Sequence, residues 1–309
     1  MTDLTRSADD HTPTSVGVLV VLYDNSLSEI WQLVRSVGQT IRSAFADPVL
    51  APNVVRISLG DCSDRPCLTE PDVRELRDAM SDRVTLDYKW FAENLGHSGG
   101  VNALAQDAPE DALLILNPDA YASPQLLVSL LRAMRDRQVG AVDARQIPCE
   151  HPKWYDPIVG DQSWASGACV LVRTSLFRAA GGFDAEFFPS YVNDVDLSWR
   201  LRLLGARVVH QPDAVVFHDK RLDQGAGVKP TRIELFEGIL GRLMLATKFD
   251  RADIVADTIT LVGRHGTSEQ RRAVRVFEQR KAVNDIPRAL ADAAKVADFV
   301  GDEYGRRRY

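Results

Sequence analysis

Apolar runs alternate with amphipathic stretches over the first 145 residues of the chain. The run VGVLVVLY at residues 16–23 is almost wholly apolar and β-branched, which is typical of a central strand buried on both faces. Four further short apolar runs are strand candidates: residues 54–59, 84–89, 112–116 and 139–144. The segments between them have helical periodicity. Strand and helix in alternation predict an α/β fold with a mostly parallel sheet and helices on both faces.

The pattern changes after Arg145. A Pro-, Asp- and His-rich stretch at 146–163 indicates a loop, and apolar runs at 168–173 and 208–217 predict two more strands around a helix near 194–204. From about residue 231 the chain has helical periodicity without strands. We therefore expect a disordered or extended segment at 1–14, an α/β domain at 15–230 with halves 15–145 and 146–230, and a helical extension at 231–309.

Composition narrows the range of partners. The net charge of −6 argues against a nucleic-acid partner, because binding to phosphates needs a concentrated basic surface. The sequence contains no run of eighteen apolar residues, so it predicts no membrane span. Its polar, acidic start lacks the basic and apolar regions of a secretory signal. We therefore expect a cytoplasmic location. The basic run Arg306 to Arg308 is interpreted as a solvated tail, with peripheral contact to anionic lipid headgroups as the alternative.

Polar clusters follow three of the predicted strands. They are Tyr23-Asp24-Asn25 after the first strand, Gly60-Asp61 and the residues beyond it after the second, and Asn117-Pro118-Asp119 after the fourth. Each cluster is also rich in turn-forming residues, so a simple turn is the alternative. Because ligands of open α/β sheets bind beyond the carboxyl ends of the strands, three such clusters on one edge indicate a binding site.

A glycine-rich turn, NLGHSGGVN, follows the third predicted strand and opens a helix. Glycines let backbone amides approach a ligand closely, and a helix N-terminus favours phosphate. The turn matches neither the P-loop nor the dinucleotide-binding pattern. Its candidate ligand-binding residues are Asn94, Gly96, His97, Gly100 and Asn102.

Asp119 is the candidate metal ligand of the chain. Mg²⁺ or Mn²⁺ is commonly held by one or two carboxylates together with substrate phosphates. Asn117 is a weaker ligand than a second aspartate, so we expect weak metal binding. His218, which ends a predicted strand, is either a second protein ligand or a structural histidine.

Asp194 lies in the first turn of the predicted helix NDVDLSWRLRLLG. There its carboxylate is placed to accept a proton from an incoming hydroxyl, while the alternative is that it only favours the helix dipole. Asp196 and Arg200 are four residues apart and are expected to form an ion pair.

Together these motifs resemble glycosyltransferase family 2, whose members have the GT-A fold, and in particular its rhamnosyltransferase-like branch. The resemblance covers roughly residues 15–220, in the expected order. It is carried by the segments NLGHSGGVN, LNPD, SGACVLVR, GGFDAEFF, NDVDLSWRLRLLG and VVFH.

The resemblance implies a role for each candidate. The first half of the domain would bind the nucleotide, with Tyr23, Asp24 and Asp61 near base and ribose, and the second half would hold the acceptor. Asp119 corresponds to the second aspartate of the DxD motif and would meet the metal with His218, while Asp194 would be the catalytic base. Trp164, Ser166, Gly167 and Asn193 would line the sugar pocket. Asn117 and Asn193 depart from the family pattern, since acids usually stand at both positions.

The function implied by the resemblance is inverting transfer of a sugar from a nucleoside-diphosphate donor to an acceptor hydroxyl. A dTDP-linked deoxysugar such as rhamnose is favoured over a UDP-hexose, and a glycan, a lipid-linked glycan or a small molecule is the acceptor. The alternatives are a metal-dependent nucleotidyltransferase and a non-catalytic sugar-nucleotide-binding protein. An apolar stripe that includes Leu243 and Met244 indicates core packing, with a homodimer contact as the second interpretation.

Overall fold

The computed structural model describes residues 12–219 and 230–309. Residues 1–11 of the expected N-terminal segment and residues 220–229 of the expected α/β domain lie outside this range. The strands are β1 Ser15–Leu22, β2 Val54–Asp61, β3 Val84–Trp90, β4 Ala112–Leu116, β5 Ala120–Ala122, β6 Val139–Ile147, β7 Cys169–Arg173 and β8 Arg207–His218. The helices are α1 Leu27–Ala46, α2 Glu70–Asp78, α3 Gly96–Ala105, α4 Leu126–Ala133, α5 Thr174–Ala179, α6 Asn193–Leu203, α7 Arg232–Lys248, α8 Ala252–His265 and α9 Ser268–Ala282.

In the described residues the strands form one eight-stranded sheet in the order β3-β2-β1-β4-β7-β6-β8-β5. Within the described ranges, β3-β2-β1-β4 and β6-β8 pair in parallel, and β7 runs antiparallel between β4 and β6. Strands β1 and β4 are buried almost throughout, as their unbroken apolar runs predict. The parallel register aligns the ends of β1, β2 and β3, so their polar residues meet at one edge of the sheet.

Helices cover both faces of the sheet. One core cluster packs α1, α2 and α4 against β1, and a second packs α3, α5 and α6 against the opposite face. Because side chains alternate along β1, Val18 and Val20 enter the first cluster, and Leu19 and Val21 enter the second. The predicted α/β class with helices on both faces is confirmed.

The C-terminal helices pack against the outer side of α6. Trp199 of α6 is fully buried, and its ring contacts those of Phe249 and Phe299 with centroids 5.0 and 5.1 Å away. Leu243 and Met244 of α7 are buried in the same cluster, as the core-packing interpretation predicts. The homodimer contact stays a prediction.

A buried cation joins α7 to the sheet domain. The Nζ atom of Lys248 lies 2.6 Å from Oδ2 of Asp184 and 2.6 Å from Oδ1 of Asp196. Asp196 is fully buried and also forms the predicted ion pair with Arg200. The amino group thus neutralises two carboxylates between α7, α6 and the turn before α6.

Two short elements differ from the sequence-based expectation. Strand β5 and helix α5 have three and six residues, too few for a periodic pattern to be visible in the sequence. Both form through tertiary contacts, since β5 pairs with the end of β8 and α5 buries Phe177.

The C-terminal tail is fixed to the loop between β6 and β7. The backbone of Trp154 donates to the carbonyl of Arg306, and that of Arg308 donates to the carbonyl of Pro152. The basic side chains are exposed, and Arg307 pairs with Glu303. In the described parts of the chain, no helix has the length and apolarity that crossing a bilayer requires.

Candidate active site

A short turn, residues 166–168, connects the two halves of the candidate site. The backbone N–H of Gly167 donates to Oδ2 of Asp194 over 3.0 Å, which ties the turn to the start of α6. The carbonyl of Ala168 accepts from the backbone N–H of Asn117 over 3.0 Å, which ties the turn to the loop after β4. The predicted base and the predicted metal-binding loop are therefore held on either side of the same three residues.

The carboxylate of Asp194 is partly buried and accepts hydrogen bonds from two backbone N–H groups. Besides Gly167, the backbone N–H of Val195 donates to its Oδ1 atom over 2.9 Å. Burial raises the pKa of Asp194 above that of an ordinary aspartate, although the Gly167 N–H and the charge of Lys153 act in the opposite direction. A carboxylate with a raised pKa is a stronger base once ionised, which suits proton abstraction.

A buried ion pair behind the turn was not predicted from the sequence. Asp143 of β6 is almost fully buried, and its Oδ2 atom lies 2.7 Å from Nζ of Lys153. Its Oδ1 atom accepts the backbone N–H of Ser166 over 2.9 Å. Burial acts to raise the pKa of Asp143, but the charge of Lys153 and the hydrogen bonds outweigh it and lower the pKa. The signal in the sequence was a single acid within the apolar strand candidate at 139–144.

Ser166 of this turn and nearby Trp164 are both buried. Trp164 is 6% exposed, and Nζ of Lys153 lies 4.0 Å from the centre of its ring. Ser166 is 4% exposed. Both side chains are therefore largely closed off from solvent, and direct contact between either of them and a sugar stays a prediction.

Asn193 and His97 are in contact where α6 and α3 begin. The Nδ2 atom of Asn193 lies 3.0 Å from Nδ1 of His97 and 2.9 Å from Oγ of Ser98. Ser98 Oγ also lies 2.6 Å from the carbonyl oxygen of Phe188. Burial lowers the pKa of His97 to about 4, so the imidazole is neutral at physiological pH.

The other residues of the glycine-rich turn have partners within the protein. The Asn94 side chain accepts the backbone N–H of Gly96, and a Cβ atom on Gly100 would approach the side chain of Val21 within 2.8 Å. Asn102 exchanges two hydrogen bonds with the backbone of Phe183. These contacts hold α3 against β1 and against the GGFD turn. Direct phosphate binding by the turn stays a prediction.

Asp61 organises the edge where β1 and β2 end. It is fully buried, and its carboxylate accepts from the Ser63 N–H and hydroxyl, the Cys67 N–H and the Tyr88 hydroxyl. Burial acts to raise the pKa of Asp61, but these hydrogen bonds lower it overall. The Ser63 hydroxyl in turn accepts the backbone N–H of Asp24.

Asp24 and its neighbour Tyr23, which is 51% exposed, are among the exposed residues at this edge. Asp61 holds the loop on which they lie. The predicted contacts of Tyr23, Asp24 and Asp61 with a base or ribose stay predictions.

His218 faces Asp119 at the opposite end of the site. Nδ1 of His218 lies 2.8 Å from Oε1 of Gln146, and because a carbonyl oxygen only accepts, Nδ1 carries the proton. In the neutral ring Nε2 then has a lone pair, 3.4 Å from Oδ1 of Asp119. Two lone-pair donors that face each other fit a divalent cation, and a third group orients the histidine, as in many metal sites.

These two side chains cannot complete a metal site alone. Within residues 12–219 and 230–309, no cluster of three or more His, Cys, Asp or Glu side chains has a metal-binding arrangement. The remaining ligands of Mg²⁺ or Mn²⁺ would have to come from a substrate such as a diphosphate, or from water.

Solved structures identify the fold. A mannosyltransferase from Pyrobaculum calidifontis, in complex with GDP-Man and Mn²⁺, matches with a TM-score of 0.54 and 13% identity over 89% of this chain and 81% of that one. GalNAc-T7 with UDP, GalNAc and Mn²⁺ matches with a TM-score of 0.59 and 14% identity over 90% of this chain and 56% of that one. The chain has the GT-A glycosyltransferase fold.

A curated relative supports the motif-based resemblance. The N-acetylglucosaminyl-diphospho-decaprenol L-rhamnosyltransferase of Mycobacterium tuberculosis is 32% identical, in an alignment that covers 43% of this chain and 58% of the relative. The chain thus spans less than two thirds of that enzyme's length. No known family profile matches the chain. The predicted resemblance to rhamnosyltransferase-like enzymes is confirmed by this relative.

Proposed function

We propose that this GT-A chain is an inverting glycosyltransferase that moves a sugar from a nucleoside diphosphate to an acceptor hydroxyl. The observation that carries the proposal is the 166–168 turn. It holds Asp194 on one side through Gly167 and the Asn117–Asp119 loop on the other through Ala168. A single in-line displacement needs a base and a diphosphate-binding loop that are fixed relative to each other, and the turn fixes these two.

In this mechanism Asp194 removes the proton from the acceptor hydroxyl as its oxygen attacks the anomeric carbon. The bond from that carbon to the diphosphate oxygen breaks on the opposite face, so the configuration inverts. Positive charge on the sugar resembles that in glycoside hydrolysis. The Gly167 N–H orients Oδ2 of Asp194, and the buried Asp143–Lys153 pair fixes the turn that carries this N–H.

A divalent cation would be held by Asp119 and by His218, whose ring Gln146 orients. When bound, such a cation neutralises charge on the departing diphosphate. The half-exposed carboxylate of Asp119 and the nearly buried imidazole of His218 suit this role, because one is open to substrate and the other is held by the protein.

We favour a dTDP-linked deoxysugar such as rhamnose as the donor and a UDP-hexose as the second choice. The mycobacterial rhamnosyltransferase supports this choice of sugar. A lipid-linked glycan, a glycan end or a small molecule is the proposed acceptor, and the cytoplasm is the proposed location. The alternative of a nucleotidyltransferase is not favoured, because the matched relative and structures are glycosyltransferases.

The proposal is tested with the full chain and a panel of dTDP- and UDP-sugars in the presence of Mn²⁺. Thermal shift selects the donor, since stabilisation by a ligand rises with its concentration relative to Kd. Release of nucleoside diphosphate that depends on an added acceptor, with inversion of the anomeric signal in NMR spectra, is the expected result. Stabilisation by a donor without any transfer or hydrolysis would support a sugar-nucleotide-binding protein instead.

A further inference from the structure

A chain of hydrogen bonds runs from the backbone of Phe188 to the ring of His97. The carbonyl oxygen of Phe188 only accepts, so the hydroxyl proton of Ser98 is directed to it over 2.6 Å. A hydroxyl has one proton, and therefore Ser98 Oγ can only accept from Asn193, 2.9 Å away. The atom of Asn193 that faces Ser98 must be the amide nitrogen, not the amide oxygen.

The same amide nitrogen fixes the protonation of His97. Nδ2 of Asn193 carries two protons, of which one points to Ser98 and the other to Nδ1 of His97, 3.0 Å away. Nδ1 must accept this proton through its lone pair. Because a neutral imidazole carries one proton, that proton is on Nε2. His97 stays neutral at ordinary pH, since burial lowers its pKa to about 4.

His97 lies beside the proposed base. A Cβ atom built on Gly167 would lie 3.8 Å from Oδ2 of Asp194 and 3.8 Å from Cε1 of His97, so the carboxylate and the imidazole flank the same glycine. Nε2 of His97 has no hydrogen-bond partner in the part of the chain that the structure describes. Among the described residues it is a donor without an acceptor, on a ring that lies beside Gly167 and the proposed base.

We propose that His97 is a sugar-binding residue whose Nε2–H donates to a hydroxyl or ring oxygen of the donor or acceptor sugar, and that Asn193 holds it in this tautomer. This inference rests on the proposed glycosyltransferase function. It assigns a specific role to the asparagine that stands where the resemblance to glycosyltransferase family 2 implies an acid. An acid at position 193 could not donate to Nδ1, and it would favour either the other tautomer or an imidazolium.

The tautomer is tested first, because this measurement does not depend on activity. Long-range ¹H–¹⁵N correlation spectra of the full chain distinguish the two neutral tautomers and the imidazolium, and the spectrum of His97→Gln assigns the signal among the six histidines. We expect the Nε2–H form down to pH 5 in the wild type. We expect Nδ1 to carry a proton at neutral pH in Asn193→Asp. An Nδ1–H ring in the wild type overturns the proposal.

Binding and kinetics test the contact itself. His97→Phe keeps an aromatic ring beside Phe183 but removes the donor, whereas His97→Gln retains an N–H near the position of Nε2. We expect His97→Phe to lower kcat/KM about tenfold, as the loss of a hydrogen bond to substrate does, and His97→Gln to recover most of this loss. His265→Gln, at an exposed position near the end of α8, is the control and should leave kcat/KM unchanged.

Calorimetry with dTDP-rhamnose and with dTDP shows whether His97 contacts an oxygen of the donor sugar, of the acceptor or of the diphosphate. Weaker binding of dTDP-rhamnose alone to His97→Phe supports a contact with the donor sugar, and unchanged donor binding with a raised acceptor KM supports a contact with the acceptor. Equal weakening of dTDP and dTDP-rhamnose would assign the contact to the diphosphate and overturn the proposal, as would unchanged binding and kinetics. If the Nε2–H tautomer is observed but no sugar nucleotide binds the wild type, the proposed function is wrong, whereas the hydrogen bonds from Phe188 to His97 are still supported.

Discussion

The backbone N–H of Gly167 donates to Oδ2 of Asp194 over 3.0 Å, and this contact joins the two halves of the site. The N–H of the preceding residue, Ser166, donates to Asp143. Consecutive amides of one turn therefore bind two carboxylates with different environments. Asp143 is paired with Lys153 and has a lowered pKa, while Asp194 forms no ion pair with a described residue and has a raised pKa. The first is suited to hold the turn and the second to take a proton.

Asp194→Asn should abolish most turnover while donor binding is retained. The amide has nearly the shape of the carboxylate but cannot accept the proton of the acceptor, and general-base catalysis contributes about 10² to 10⁴ in rate. Steady-state kinetics give kcat, and calorimetry with the sugar nucleotide gives Kd. Asp213→Asn, at an exposed position in β8, is the matched control. Wild-type turnover in Asp194→Asn would exclude this residue as the base.

Substitution of Lys153 and substitution of Asp143 should shift the acidic limb of the pH profile of kcat/KM in opposite directions. Activity requires ionised Asp194, whose pKa is lowered by the charge of Lys153 and raised by that of Asp143. Lys153→Met should therefore move the limb to higher pH, and Asp143→Asn should move it to lower pH. Shifts in the same direction would indicate that both variants act only by disturbing the fold.

Asp119→Asn should weaken the dependence of diphosphate binding on Mn²⁺. A neutral amide is a poorer ligand for a hard cation, so the gain in affinity that Mn²⁺ gives should fall about tenfold or more. Calorimetric titration of dTDP with and without Mn²⁺ measures this gain. Asp213→Asn, at an exposed position in β8, serves as the control. An unchanged gain in Asp119→Asn would place the cation elsewhere.

Lys248→Met should destabilise the protein far more than Lys295→Met does. Lys248 is buried between Asp184 and Asp196, and removal of one partner from a buried ion pair costs about 3–5 kcal/mol in the free energy of unfolding. Lys295 pairs with Asp292 at the surface, where such pairs contribute about 0–1 kcal/mol. Denaturant unfolding of both variants gives the comparison, and equal losses would contradict the buried network.

The free energy of unfolding should fall on acidification between pH 6.5 and 4, in part because of His97. The folded-state pKa of His97 is about 4, against 6.5 for a free histidine, so the unfolded chain binds one more proton in this window. This one group contributes a slope of at most about 1.4 kcal/mol per pH unit, and its contribution is fully present only above pH 6.5. His97→Gln should show a shallower fall. An equal slope in both proteins would mean that His97 titrates normally.

The parts of the fold that were predictable from sequence are those in which local pattern and tertiary environment agree. The apolar run of β1 is buried on both faces, and the spacing of Asp194 from the apolar positions of α6 already placed it in the first turn. Strand β5 was not predictable, because its three residues become a strand only by pairing with β8.

The hydrogen-bond partners within the site were not predictable for a different reason. Asn193 and His97 are 96 residues apart in the chain, and the direction of their hydrogen bond is determined by a third residue, Ser98. Asp143 and Lys153 are separated by the irregular loop after β6, whose path no periodic pattern describes. A sequence can suggest which residues belong to a site, but the protonation of each group follows from neighbours that only the tertiary structure brings together.

The ionic contact of Lys248 with Asp184 and Asp196 bears on how chimeric enzymes should be designed. If only the sheet domain were exchanged between related proteins, Asp184 and Asp196 could be buried against a foreign C-terminal part that has no lysine at the position of Lys248. A crossover point beyond the last helix, or one that carries the lysine and both aspartates as a single inherited unit, avoids this. Chimeras built in this way keep the buried ion pairs of Lys248.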